Sequence, residues 1–255
     1  GGRKVEKKGY REVSGDGYHP SMAVDAVIFD WGGTLTPWHD VELGEMWRTI
    51  CASHLAPDEV ERIARALLEA EDELWRRSRE EHRSATLDEL FELAGVQPTE
   101  ELLDTKFRAW EPHTFTDPDA ADLLSGLRER GIKVGVLSNT LWSREWHERI
   151  FARDGVLDLI DGAVYSSEIP WTKPHAQAFR LAMEAVGAED PARCVFVGDR
   201  PFEDVHGAKS AGMRAVQIWH SSADSLPGGG PHLAPPDAVI HRLSDLWPHV
   251  DKWAD

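Results

Sequence analysis

Val24-Asp25-Ala26-Val27-Ile28-Phe29-Asp30-Trp31-Gly32-Gly33-Thr34 is the stretch whose reading decides the fold. An apolar run of strand length ends in an aspartate, and a glycine turn and a threonine follow at once. In an open parallel sheet, ligands bind beyond the carboxyl ends of the strands. A carboxylate placed there is held rigidly, which makes Asp30 the first candidate for chemistry. Alone, the stretch reads equally as a turn aspartate before Gly-Gly. Later segments separate the two readings.

Downstream, the texture changes twice. From about 40 to 110 the chain reads as helices only: 40–54, a long one from Pro57, then 86–94 and 99–110. Pro57-Asp58-Glu59 suits a helix first turn, and Val60, Ile63, Ala64, Leu67, Leu68, Leu74 and Trp75 follow at helical spacing. After Glu111–Pro118, strands alternate with helices again. Strands are expected at 132–137, 194–197, 215–218 and 238–240, and helices at 119–130, from about 143, at 175–186 and at 203–211. Glycines 131, 187 and 212 stop three of these helices. Such alternation implies an α/β fold with a parallel sheet and right-handed crossovers. The expected division is a core of 22–37 and 114–255 with an all-helical cap, 38–113, inserted after the first strand. Residues 1–21 read as a leader outside the fold, and 221–237 as a surface loop rich in Gly and Pro.

Composition narrows the partners. A formal charge of −17 disfavours nucleic acid and anionic membranes. No apolar run reaches membrane-spanning length. The two cysteines, Cys51 and Cys194, lie far apart in apolar contexts, so buried thiols and a reducing, cytoplasmic setting are expected. Oligomeric state is not readable.

Three strand ends offer reactive groups on one sheet edge: Asp30, Ser138-Asn139 and Asp199. Lys173-Pro174 opens a helix in the same half, and Asp204 follows Asp199 by five residues. Converging Asp30, Asp199 and Asp204 would repel one another and any phosphate, so the cluster needs a cation. Oxygen-only ligands at this density suit Mg²⁺. A nucleophilic carboxylate, a metal clamp, hydroxyl and amide donors and a fixed lysine together suit phosphoryl transfer.

Asp30-Trp31-Gly32-Gly33-Thr34, Leu137-Ser138-Asn139, Lys173-Pro174 and Gly198-Asp199-Arg200-Pro201-Phe202-Glu203-Asp204 resemble, in order, the four motifs of the haloacid dehalogenase-like hydrolases. The resemblance spans roughly 23–250 and implies a Rossmann-like core, helices on both faces of its sheet, and a helical cap. It implies Asp30 as nucleophile and Lys173 as charge stabiliser. Ser138, Asn139 and Gly33 would bind the transferred group. Asp30, the Gly32 carbonyl, Asp199 and Asp204 would hold Mg²⁺. The implied substrate is a small phosphate monoester, cleaved through an aspartyl-phosphate.

One position departs from the pattern. Family phosphatases carry a second aspartate, the general acid–base, where this chain has Gly32. Such help is worth about 10²–10⁴-fold. The leaving group would then need little protonation, or a cap residue would supply the proton, or catalysis is weak or absent. His39 and His113 flank the cap's ends; exposed hinge residues are the plainer expectation for both. Dehalogenases of the family carry tyrosine at the Gly32 position and lack an acidic fourth motif. Phosphonoacetaldehyde hydrolases, which break a C–P bond, share a similar first motif but need a cap lysine for an imine. The cap's one lysine is Lys106, while earlier cap positions offer Arg76, Arg77 and Arg79, which cannot form one. A non-catalytic binding protein is the other alternative.

Two further features bear on the substrate. The basic run Arg76-Arg77-Ser78-Arg79 with His82 and Arg83 is expected to pair with Glu69, Glu73, Glu80 and Glu81 on a solvated helix. Of eleven tryptophans, Trp31, Trp38, Trp142 and Trp171 adjoin motifs or strand ends, and some are expected to line an apolar pocket. Trp47, Trp75 and Trp110 are expected to pack the cap.

Overall fold

The computed structural model of the protein describes residues 23–220 and 233–254. The expected leader 1–21 lies outside them, as does most of the expected loop 221–237. Six strands form one parallel sheet: β1 (Ala26–Phe29), β2 (Lys133–Ser138), β3 (Gly162–Tyr165), β4 (Cys194–Gly198), β5 (Arg214–Ile218) and β6 (Ala238–Ile240). Their spatial order is β3-β2-β1-β4-β5-β6. β1 lies between β2 and β4, with Phe29 opposite Val136 on one side and Val197 on the other. The strand order therefore reverses at β1, and ligands bind at such a reversal.

Strand side chains alternate between two cores. Val27, Phe29, Val195 and Val197 pack with α5 (Ala120–Glu129), α6 (Arg144–Arg153) and α9 (Trp247–Ala254). Ile28, Cys194 and Phe196 pack on the other face with α7 (Ala176–Ala185) and the short α8 (Gly207–Ser210). Covered on both faces, the central strands are apolar throughout, as a parallel sheet requires. Both thiols are free and buried, and among the described residues no helix is long and apolar enough to cross a membrane.

The cap follows β1. It consists of α1 (Leu43–Ala52), α2 (Pro57–Glu81), α3 (Leu87–Ala94) and α4 (Glu100–Trp110). Its own core joins Trp47, Ile50, Leu67, Leu74, Leu90 and Phe91, and Leu141 of the sheet domain packs into it. Thr86 and Thr99 cap α3 and α4 by accepting backbone N–H groups, and Gly95 ends α3 at φ 69°.

Three elements differ from expectation. β3 and α9 carry no forecast in the sequence. The helix expected at 203–211 starts instead as a π-helix, Pro201–His206, and only then becomes α8. The reason is visible in the hydrogen bonds: the Arg200 carbonyl accepts from both Asp204 and Val205 N–H, which widens the turn. Such turns recur at functional sites.

Candidate active site

β1, β2 and β4 deliver Asp30, Ser138 and Asp199 to one edge of the sheet, and the π-helix brings Asp204 beside them. Lys173 comes from the loop before α7. Its ammonium donates to Asp30 Oδ1 at 2.9 Å and to Asp204 Oδ1 at 2.6 Å. Asp204 Oδ2 accepts the Arg200 N–H at 3.0 Å, so both its oxygens are fixed. Asn139 fixes Lys173 from the other side. Its Oδ1 accepts the Lys173 N–H at 2.8 Å, and its Nδ2 donates to the Lys173 carbonyl at 3.1 Å. Asn139 also lines the cavity.

Asp30, Asp199 and Asp204 each place a carboxylate oxygen within 4.8 Å of the others. Asp199 is fully buried, and neither of its oxygens has a hydrogen-bond partner. Burial above all, then the charges of Asp30 and Asp204, push its pKa well above the carboxylate range. Burial first, then the charge of Asp30, push Asp204 up to about 6, against the pull of Lys173 and the Arg200 N–H. Burial alone would lower the Lys173 pKa, but the charges of Asp204 and Asp30 outweigh it and hold it above its ordinary value.

These residues fit a divalent cation. Three carboxylates and one ammonium leave two negative charges at full ionisation. The bare oxygens of Asp199 lack any other partner. Gly33 has φ 77°, and a Cβ there would stand 2.5 Å from Asp199 Oδ2, so glycine keeps the space at that carboxylate open. An all-oxygen set of this kind suits Mg²⁺.

A cavity of about 460 Å³ lies between this edge and the cap, lined by Asp30, Gly32, Gly33, Ser138, Lys173 and Asp204 among others. Every candidate residue except Asp199 contributes to its wall, and Asp199 lies beneath it against Gly33. A Cβ built on Gly32 meets nothing within 4 Å. The position of the missing acid is therefore open space.

The cap's contribution departs from the sequence reading. Trp75 and Trp110 line the cavity with Trp31, Trp38 and Trp142, whereas Trp171 does not. Trp171 stacks on His175 and bridges to Arg83 instead. Trp75 and Trp47 donate their indole N–H groups to Glu71, which also lines the cavity. Arg76 and Arg77 pair with Glu73, and Arg76 also with Glu80, as expected of a solvated face. Arg79 is exposed at the cavity rim. On α2, Glu71, Trp75, Ser78 and Arg79 share one face at spacings of four, three and one. That face was legible as helical geometry, but nothing in the sequence said which face would turn toward the sheet. His39 and His113 also line the cavity rather than standing apart as hinges, with ring centroids 5.0 Å apart. Burial first, and His39 second, lower the His113 pKa. Lys106 is buried against four tryptophan rings, its pKa pushed down to about 8 mainly by burial, and it is not among the residues lining the cavity.

The cap is tied to the loop that carries Lys173. Ser78 donates to Thr172 Oγ1 at 3.0 Å, Thr172 N–H to the His82 carbonyl at 3.1 Å, and Ser84 N–H to the Pro170 carbonyl at 3.1 Å.

Comparison with known proteins agrees with this arrangement. The sequence profile of the haloacid dehalogenase-like hydrolases matches residues 24–212. A glyceraldehyde 3-phosphate phosphatase of Methanopyrus kandleri is 31% identical over 245 residues, covering 88% of this chain and 95% of its own. A phosphatase of Mycobacterium tuberculosis is 31% identical over 246 residues, covering 90% and 98%. The crystal structure of a phosphatase of the same superfamily from Thermococcus onnurineus superposes with a TM-score of 0.61 at 26% identity, covering 89% and 98%. The chain is an enzyme, and it belongs to the haloacid dehalogenase-like hydrolases.

Proposed function

We propose that the protein is a Mg²⁺-dependent phosphatase acting on a small phosphate monoester through an aspartyl-phosphate intermediate. The observation that carries the reading is the Lys173 ammonium bridging Asp30 and Asp204 beside the unpartnered carboxylate of Asp199. Phosphatases among its relatives support it.

Asp30 is the nucleophile. Its Oδ1 accepts from the Lys173 ammonium at 2.9 Å, which fixes the carboxylate at the cavity wall. Ser138 and the amides about Gly33 and Asn139 receive the phosphoryl oxygens. Asp30, the Gly32 carbonyl, Asp199 and Asp204 would hold Mg²⁺, which supplies charge neutralisation to the phosphoryl group. Lys173 adds a second fixed positive charge, and fixed charge in a water-poor site stabilises a transition state without reorganisation. Asn139 acts on Lys173 rather than on substrate alone, because both ends of its amide meet the Lys173 backbone. The free thiols suit a reducing, cytoplasmic setting.

Release of phosphate from p-nitrophenyl phosphate, with and without Mg²⁺, tests the reading. That leaving group needs little protonation, so the lack of an acid at Gly32 does not mask activity. Metal-dependent release lost in Asp30→Asn is the expected result. No release from the parent enzyme at any Mg²⁺ concentration would favour a binding protein instead.

A further inference from the structure

We infer that the natural leaving group is an aromatic oxyanion, so that the substrate class is the aryl phosphates. This rests on the phosphatase reading above and narrows it. Two independent observations meet in it.

The first is the missing side chain at Gly32, the position that carries the family's acid. Among the described residues, His39, Asp40, Glu203 and His113 are the remaining carboxyl and imidazole groups of the wall that accept no hydrogen bond from a tryptophan or lysine. Gly32 has no side chain, and a Cβ there would point into open cavity. Asp204 is taken by Lys173 and by the Arg200 amide, and Asp199 lies beneath Gly33. His113 lines the cavity, but burial and His39 favour its neutral ring. A leaving group that departs unprotonated must be a weak base. Phenols ionise near pKa 10, whereas aliphatic alcohols are comparable to water, near 15.7.

The second is the wall. Trp31, Trp38, Trp75, Trp110 and Trp142 all face the cavity. Their rings brace one another: Trp142 meets Trp31 at 5.6 Å and Trp110 at 5.3 Å. The Glu71 carboxylate fixes Trp75 through its indole N–H at 3.2 Å. Indole faces and edges set rigidly around about 460 Å³ favour a flat ring in offset or edge contact. A triose or a serine side chain would leave most of that apolar surface uncovered.

The chemistry balances without an acid. An Asp30 oxygen attacks phosphorus, the P–O bond to the ring breaks, and its electron pair leaves on the aryl oxygen. Water then attacks phosphorus of the acyl phosphate, the P–O bond to the Asp30 carboxyl breaks, and both water protons leave on the released phosphate. The Asp30 carboxylate is regenerated, and the aryl oxide takes a proton from the phosphate product or solvent.

The test compares a series of aryl phosphates of graded leaving-group pKa, including 1-naphthyl phosphate, with alkyl phosphates such as glycerol 3-phosphate, all with Mg²⁺. Expected are a kcat/KM at least about 10²-fold higher for the aryl set and a steep dependence on leaving-group pKa. Gly32→Asp should raise turnover of alkyl phosphates selectively and flatten that dependence. Trp75→Ala should raise KM for naphthyl phosphate several-fold and leave that for acetyl phosphate nearly unchanged. A binding arm needs no turnover: phenylphosphonate should quench tryptophan fluorescence at about tenfold lower concentration than methylphosphonate. Alkyl phosphates hydrolysed as fast as aryl ones, or equal affinity for the two phosphonates, would overturn the inference while leaving the phosphatase reading intact. No phosphate release from either set would overturn that reading, and the phosphonate comparison would still decide whether the cavity selects a ring.

Discussion

Ser78 on the cap helix donates its hydroxyl to Thr172 Oγ1 at 3.0 Å, and Thr172 immediately precedes Lys173. Both residues are buried. The cap is therefore linked to the cavity edge of the sheet through the lysine loop as well as through its two covalent connections. Thr172→Val removes the acceptor and strands the Ser78 hydroxyl, at a cost of about 1–3 kcal/mol. Urea unfolding should report that loss, and kcat should fall with it because Lys173 moves with its neighbour. An unchanged kcat at reduced stability would mean that this link is structural only.

Among the described residues, Asp199 has no hydrogen-bond partner that offsets its burial. Its buried oxygens have no partner and face two other carboxylates. Asp199→Asn should therefore raise the melting temperature in metal-free buffer. The same variant should lose the upward shift that Mg²⁺ gives the parent, because only the native state offers the site and binding to it is stabilising. A lower metal-free melting temperature in Asp199→Asn would contradict the charge argument.

Gly33 holds φ 77°, in the left-handed region, with Asp199 Oδ2 at 2.5 Å from where a Cβ would sit. Gly33→Ala adds backbone strain of about 1–2 kcal/mol and pushes on that carboxylate. Calorimetric titration should show Mg²⁺ binding weakened by about tenfold or more, since each 1.4 kcal/mol is tenfold. Gly32→Ala is the matched control, because its Cβ meets nothing within 4 Å.

His147 gives the fold a defined acid sensitivity. The ring is fully buried, stacks on Tyr165 at 4.2 Å and uses Nδ1 against the Ser143 carbonyl at 2.8 Å. Burial pushes its pKa from 6.5 down to about 4. The unfolded chain then binds a proton that the native state refuses. Stability is fully present above pH 6.5 and falls as pH drops toward 4, by about 3 kcal/mol at one pKa unit per 1.36 kcal/mol. His147→Phe should flatten the stability-versus-pH curve across that window. An unchanged slope would place the acid sensitivity elsewhere.

Much of this was legible in the chain, for physical reasons that also mark the limits. Ala26 to Phe29 announces a buried strand because it is apolar on both faces, and Asp30-Trp31-Gly32-Gly33 marks the end that lines the cavity. The same logic holds at Ser138 and at Gly198-Asp199. β3 escaped because four residues at a sheet edge, two of them only half-buried, carry no period to detect. The π-helix at 201–206 escaped because its widened turn depends on one carbonyl accepting two amides, which no residue pattern encodes. The sequence predicts Trp75 and Trp110 as packing residues of the cap, and the structure places both at the cavity. Their spacing fixes the helix face on which they sit but leaves open whether that face meets another helix or the sheet edge, and tertiary packing decided for the edge. His113 fell to the same ambiguity.

The most direct test of the account asks whether Asp30 carries the phosphoryl group. The enzyme is mixed with p-nitrophenyl phosphate and Mg²⁺, quenched in acid within one turnover, digested and analysed by mass spectrometry. The account predicts the added mass of one phosphoryl group on the peptide containing Asp30, and neither adduct nor turnover in Asp30→Asn. Phosphate release that persists in Asp30→Asn, or an adduct on a different peptide, would contradict it.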